Sequence, residues 1–240
     1  MLPTKSTKFF SELNDFLSSG EKGILKIMDI YKKLDLHKIK IGYHDLPQAS
    51  YRRSDLLLCL MMFPVFQVKN VYSYLDSTLN EFFEARKNTL YRLKNDSMVN
   101  WRHIVNLVNN RLLKTVAANT NTHSDGPRCL ILDDTDFVKT SYRTEHVGFI
   151  WSHVAHRTVL GFKGLFLGYW DSKSFFALDF SLHKERGKNQ KKPFGLSPKQ
   201  RSRQYSMPRE SGTPGRDREK ELVQDKFSMA IKMVAKAISR

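Results

Sequence analysis

The chain has 240 residues, with 40 Lys+Arg against 24 Asp+Glu, a formal charge of +16 and a pI near 9.8. At 40% hydrophobic and 12% aromatic it carries enough apolar side chain to bury a core, which excludes a wholly disordered chain and suits one large domain or two modest ones. The excess of cations points to a polyanionic partner, nucleic acid foremost.

The longest unbroken apolar stretch, Leu56 to Phe63, is followed by Pro64 and falls far short of the roughly 20 residues that a bilayer span requires. The polar start MLPTKSTKFF does not read as a secretory signal. Cys59 and Cys129 both stand in apolar runs, so they read as buried thiols in a reducing compartment rather than as a disulfide or zinc site. A cytoplasmic chain without a membrane helix is expected.

Residues 1–118 read as helical. The run through Phe63 is apolar on every side, which suits a short helix buried within a bundle. Val71, Tyr74, Thr78 or Leu79, and Phe82 recur at steps of three and four and predict a second, amphipathic helix. A third is expected to start near Ser97 as N-cap, with Trp101, Ile104, Val105, Val108 and Leu112 inward and Arg102, Asn106, Asn109, Asn110 and Arg111 toward solvent. Just before it, Arg86, Lys87, Tyr91, Arg92 and Lys94 interleave cations with an aromatic ring, and with Arg102 they are candidate DNA contacts. A helix-turn-helix reader and an ordinary helix pair with solvated basic faces both fit this pattern.

The run AANTNTHSDGPR, Ala117 to Arg128, has no periodicity and places a linker at 119–128 between a domain at 1–118 and another at 129–240. Three strands are expected beyond it: Cys129 to Asp134, Phe162 to Trp170, and Ser174 to Leu182, the last two joined by a turn at Asp171-Ser172-Lys173. From 183 to 218 the chain carries eleven Lys+Arg against Glu185, Glu210 and Asp217, half of the total net charge. Pro193, Pro198, Pro208 and Pro214 argue against a long regular element there, so a mobile basic loop is expected. Its Lys188, Lys191, Lys192, Lys199, Arg201 and Arg203 would clamp a phosphate backbone, or else form a solvated surface. From Glu219 to Arg240, Leu222, Val223, Phe227, Ala230, Ile231, Val234, Ala237 and Ile238 mark an amphipathic helix.

Asp133 and Asp134 close the apolar run Cys129-Leu130-Ile131-Leu132. Carboxylates at the end of an apolar strand are costly to bury unless a positive group sits on them, and a divalent metal is one solution. Strand alternation sends Asp133 and Asp134 to opposite faces, so sequence leaves open which one faces a site. Asp136 shares the face of Asp134 and reads as a metal support or a solvated strand end. Lys139, Arg143 and Lys163 read as phosphate contacts or surface charges. Asp171 reads as a turn residue and Asp179 as structural. His153 and His156 lack partners for a four-ligand zinc set, and no lysine-hydroxyl pair follows Gly161, Gly164 and Gly168 as in a phosphate-binding loop.

The blocks LDDTDFVKT, IWSHVAHRTVLGFKGLFLGYWD, ALDFSLHKERGK and FGLSPKQR, with NTLYRLKNDSMVNWR in the first half, resemble the DDE transposases of bacterial insertion sequences, the cut-and-paste group with a ribonuclease-H-like catalytic domain. The resemblance implies an α+β fold: a helical N-terminal region, then an incomplete ribonuclease-H-like domain of three strands, a basic loop and one helix. It makes Asp134 the first catalytic Asp and a metal ligand, with Asp133 as runner-up. The family holds two Mg²⁺ ions on three carboxylates, to cleave and join phosphodiesters. The strand with the second Asp and the helix with the Glu are not found before Arg240, so the resemblance implies an N-terminal part that is inactive alone. Expected partners are double-stranded DNA at transposon ends, and a second copy or full-length transposase, in the bacterial cytoplasm at the nucleoid. Two other readings stand beside it: a non-catalytic DNA-binding regulator of transposition, and a basic structural or RNA-binding protein.

Overall fold

The computed structural model describes residues 29–42, 51–119 and 126–239. The expected helical reading of 1–28, the N-terminal ten residues among them, and residues 120–125 of the expected linker lie outside the described residues. The chain divides into two compact units, Met1–Ile104 and Val105–Arg240.

The first unit is helical where it is described. Helix α1, Arg53–Met62, buries Leu56, Leu57, Leu58, Cys59 and Met62, as an apolar run with no polar face must. Burial pushes the Cys59 thiol up to about 12, so it stays protonated. Arg53 ties the start of α1 to Asp96 at 2.5 Å and to the Ile41 carbonyl at 3.2 Å. The Tyr51 ring stacks on Phe83 at 4.6 Å, and its hydroxyl donates to the Phe83 carbonyl.

The second expected helix is broken in two. Residues Ser73–Asp76 form a 3-10 turn, Ser77 is extended, and α2 covers only Thr78–Phe83. The cause is local: Asn70 Oδ1 accepts the Tyr72 and Ser73 amides, and the Ser77 hydroxyl donates to the Tyr74 carbonyl, so side chains compete for the backbone. Helix α3 is Lys87–Asn95, with Leu90 and Leu93 buried. Helix α4 is Trp101–Asn119. It starts four residues after Ser97, and Asn100 caps it by accepting the His103 amide at 2.9 Å.

The second unit is built on a four-stranded antiparallel sheet, one strand more than expected: β1 Cys129–Val138, β2 Gly148–Ser152, β3 Arg157–Trp170 and β4 Phe175–His183. The long β3 pairs β1 along Gly161–Trp170, β4 along its other edge, and β2 near its start. Asp171 turns the β3–β4 hairpin by accepting the Lys173 and Ser174 amides. Gly164 and Gly168 leave room for the rings of Phe137 and Phe175 to lie on the strand where a Cβ would clash.

Alternation gives the sheet two faces. Leu165 and Leu167 point toward α7, Lys226–Ile238, whose Met229 and Met233 are buried against them with Leu130 and Leu178 packed alongside. Each such side chain contributes roughly 1.5–3 kcal/mol on full burial. On the opposite face Phe137, Phe166 and Phe180 form a ring chain, with centroids 6.0 and 6.3 Å apart. Helix α6, Pro214–Glu221, reaches this face through Arg218, which lies 4.5 Å from the centroid of the Phe180 ring. Leu222 then packs on Phe162.

The 183–218 segment is not a loose loop. It contains a 3-10 turn at Pro193–Gly195, helix α5 at Pro198–Ser202 with a Ser197/Gln200 capping box, and α6 capped by Thr213. Gln204, Tyr205 and Met207 hydrogen-bond Val147, Arg143 and Glu145, and Leu196 is buried. No helix among the described residues is long and apolar enough to cross a membrane.

Candidate functional site

Strand β1 carries three carboxylates. Asp134 and Asp136 lie on the face covered by α7, opposite Leu165 and Lys163 of β3. Asp133 lies on the aromatic face opposite Phe166, exposed, with its Oδ1 turned back to accept the Asp134 amide at 2.8 Å. The two candidate acids therefore do face opposite ways, and it is Asp134 that has a second carboxylate on its side.

Each carboxylate on that side meets a lysine. Lys163 Nζ stands 2.6 Å from Asp136 Oδ1, with the two side chains only 5% and 14% exposed. Of the alternatives the sequence leaves open, burial removes one for each: Asp136 is not a solvated strand end, and Lys163 is not a surface charge. The reason is tertiary, since their register across β1 and β3 brings opposite charges together on the covered face. The Lys163 hydrogen bond, helped by Ser152, holds the Asp136 carboxyl below the usual range. Asp134 contacts Lys226, in the first turn of α7, and both remain partly exposed. No signal in the sequence pairs Lys226 with Asp134 across so long a separation.

Among the described residues no group of three or more His, Cys, Asp or Glu is arranged to hold a metal ion. The donors at this corner are Asp134 and Asp136, one partly exposed and one committed to a buried lysine. By themselves these two do not complete the three-carboxylate, two-ion set that the resemblance implies. Asp179, on β4, is buried and accepts the Phe180 amide. His153 and His156 stand exposed in the turn between β2 and β3, not in an extended segment. Cys129 is exposed at the start of β1, contrary to its expected burial, because it falls on the first residue of a sheet-edge strand.

The outer edge of β1 is its other notable property. Among the described residues no strand pairs with it, although it is ten residues long and exposes Ile131, Leu132, Phe137 and Val138. Helix α7 also leaves Phe227, Ile231 and Ile238 exposed along one stripe, beside the face it buries. A long, flat apolar edge is a template for another strand.

The candidate cations form two sets in separate units. On α3, Lys87, Tyr91 and Lys94 recur at helical spacing on one exposed face, with Lys94 lying 5.9 Å from the centroid of the Tyr91 ring. Arg86 and Arg92 are exposed nearby, and Arg102 is half-buried on α4. In the second unit Lys188, Lys191, Lys192, Lys199, Arg201 and Arg203 are all exposed. Arg186 is exposed like them, and the other four cations of 183–218 are used differently. Arg209 grips both oxygens of Glu145, Arg216 and Arg218 pair with Glu219 and Glu221, and Lys184 lies 4.1 Å from the centroid of the Phe194 ring. Burial pushes the Glu145 carboxyl up, but Arg209 and the Met207 amide outweigh it and hold the group below its ordinary value. The segment thus divides its charge between stitching and display.

Sequence reasoning also sent Asn106 and Asn109 to solvent, yet both are buried. Asn109 donates to the Ala177 carbonyl of β4, so this flank of α4 packs on the sheet although it is polar. Comparison of the chain with family models, with curated proteins and with solved structures finds no match.

Proposed function

We propose that this chain is the N-terminal part of a DDE-type DNA transposase with a ribonuclease-H-like catalytic domain, in which Asp134 is the first of three metal-binding carboxylates. The observation that carries the reading is the company of Asp134. It stands on a strand whose outer edge pairs with no other strand among the described residues, on the face that α7 covers, beside a second acid. A strand added to that edge could bring a further carboxylate next to Asp134, and an acid from a later helix would complete the set for two Mg²⁺ ions. When bound, those ions would activate the attacking oxygen and stabilise the leaving one. The exposed cations of α3 and of 183–218 would hold duplex DNA at transposon ends by its phosphates. Bacterial cytoplasm, at the nucleoid, is where such a chain would act.

One observation favours a second reading, a DNA-binding regulator without catalysis: both acids on the covered face are already matched by Lys163 and Lys226. The test uses duplex DNA from either side of the chain's own gene, with Mg²⁺. The purified chain is expected to bind without cutting. Adding the polypeptide encoded directly after residue 240 is expected to restore cleavage if the chain is part of a transposase and to leave it absent if it is a regulator. Cleavage by this chain alone would overturn the proposal.

A further inference from the structure

A cavity of about 460 Å³ lies in the second unit between α4, α7 and the ends of β1, β3 and β4. That size is within the range of small-molecule sites, roughly 300–1,000 Å³. Much of its lining is apolar, from Leu130, Leu178 and Met233, with the Tyr169 side chain beside them. Into this lining comes Asn106, only 5% exposed, whose amide nitrogen has no hydrogen-bond partner among the described residues. A buried donor left unmade is unfavourable, and it is satisfied by whatever acceptor fills the space beside it. The neighbouring Asn109 does not compete, since its amide is committed to the Ala177 carbonyl.

The charges are specific as well. Arg128 and Lys236 line the same cavity and are both exposed, while among the described residues Asp179 is the one acid in the lining. With Asp171 also acting on Arg128, these groups leave no more than a single positive charge, which suits a monoanion and disfavours a phosphate monoester of nearly twice that charge. We propose that this cavity binds a small aromatic carboxylate: the ring lies on the apolar lining, Asn106 donates to a ligand oxygen, and Arg128 and Lys236 balance the negative charge. The site is separate from the Asp134 corner and does not depend on what that corner does.

Naphthalene-2-carboxylate is a suitable probe, titrated into the full chain by calorimetry. Saturable binding at one site per chain is expected, weakened about tenfold by Asn106→Leu, which removes the donor and fills the space. Lys236→Glu, a surface change that does not threaten the core, is expected to weaken the carboxylate about tenfold while leaving naphthalene-2-carboxamide within about twofold. 2-Naphthyl phosphate is expected to bind more weakly than the carboxylate. The proposal is overturned if the wild-type chain shows no saturable binding, if Lys236→Glu affects acid and amide alike, or if the phosphate binds tightest.

Discussion

Lys163 and Asp136 face each other across β3 and β1 at 2.6 Å, both nearly closed off from solvent. The pair explains how Asp136 is tolerated on the covered face: a cation for it is built into the neighbouring strand. Breaking such a pair from one side strands a buried charge and costs about 3–5 kcal/mol, whereas replacing both partners is far milder. Lys163→Met should therefore lower unfolding stability by that amount in urea titration, and Lys163→Met with Asp136→Leu should recover most of it. Equal losses in the single and double variants would show that the pair is not coupled.

The Lys226–Asp134 contact is the contrasting case. Both side chains are partly exposed, and such pairs contribute about 0–1 kcal/mol. Lys226→Met should leave stability within about 1 kcal/mol of the parent chain in the same titration. A loss as large as that of Lys163→Met would mean that Asp134 is far less accessible than the geometry indicates.

Acid should loosen the second unit before it titrates ordinary carboxylates. Burial depresses the proton affinity of His146, against the pull of Glu145 and Glu219, and burial likewise depresses His183, against its hydrogen bond to the Gln224 carbonyl. A histidine whose folded pKa is lowered takes up protons more readily when unfolded, so its contribution is complete above the ordinary value of 6.5 and is lost as pH falls below it. Asp136, also lowered, adds a second loss as pH falls below the ordinary carboxylate value of 3.8. Urea midpoints should therefore drop between about pH 7.5 and pH 5.5, and the drop should shrink in His183→Gln. A flat profile across that interval would contradict the burial of His183 and the partial burial of His146.

Much of this architecture is legible in the chain, for reasons that can be named. The run ending in Asp133 and Asp134 announces β1, the Asp171 turn announces the β3–β4 hairpin, and the spacing that predicts one helix over 219–240 announces α7, although the chain breaks at 222–225 between α6 and α7, where Asp225 accepts the Ser228 amide and starts a new helix. Strand β2 was missed because five residues give little periodicity, although Ile150 and Ser152 are buried while Trp151 is exposed. In 183–218 the charge density concealed readable helix starts, Ser197-Pro198 with Gln200 and Thr213-Pro214. Asn106 and Asn109 were misplaced because an apolar-inward rule does not anticipate an amide that bonds a strand carbonyl. The Lys163–Asp136 and Lys226–Asp134 contacts depend on register and packing, which no local pattern encodes.

The division of cations in 183–218 makes a further prediction. Arg209 and Arg218 hold the segment to Glu145 and to the Phe180 carbonyl, so Arg209→Gln and Arg218→Gln should act mainly on folding. Loss of Arg209 alone should cost about 1.5–3 kcal/mol, as expected for hydrogen bonds to a charged group. Thermal unfolding would detect it, and an unchanged midpoint would count against the stitching role.

The most direct test of the proposed DNA-handling role is the salt dependence of duplex binding, followed by fluorescence anisotropy. The parent chain should bind a labelled duplex with an affinity that falls steeply with added salt. A variant with Lys188, Lys191, Lys192, Lys199, Arg201 and Arg203 all changed to Gln should keep its fold and lose about 0.9 of logarithmic slope for each phosphate contact removed. Unchanged affinity and slope in that variant, or no binding by the parent chain at low salt, would contradict the account.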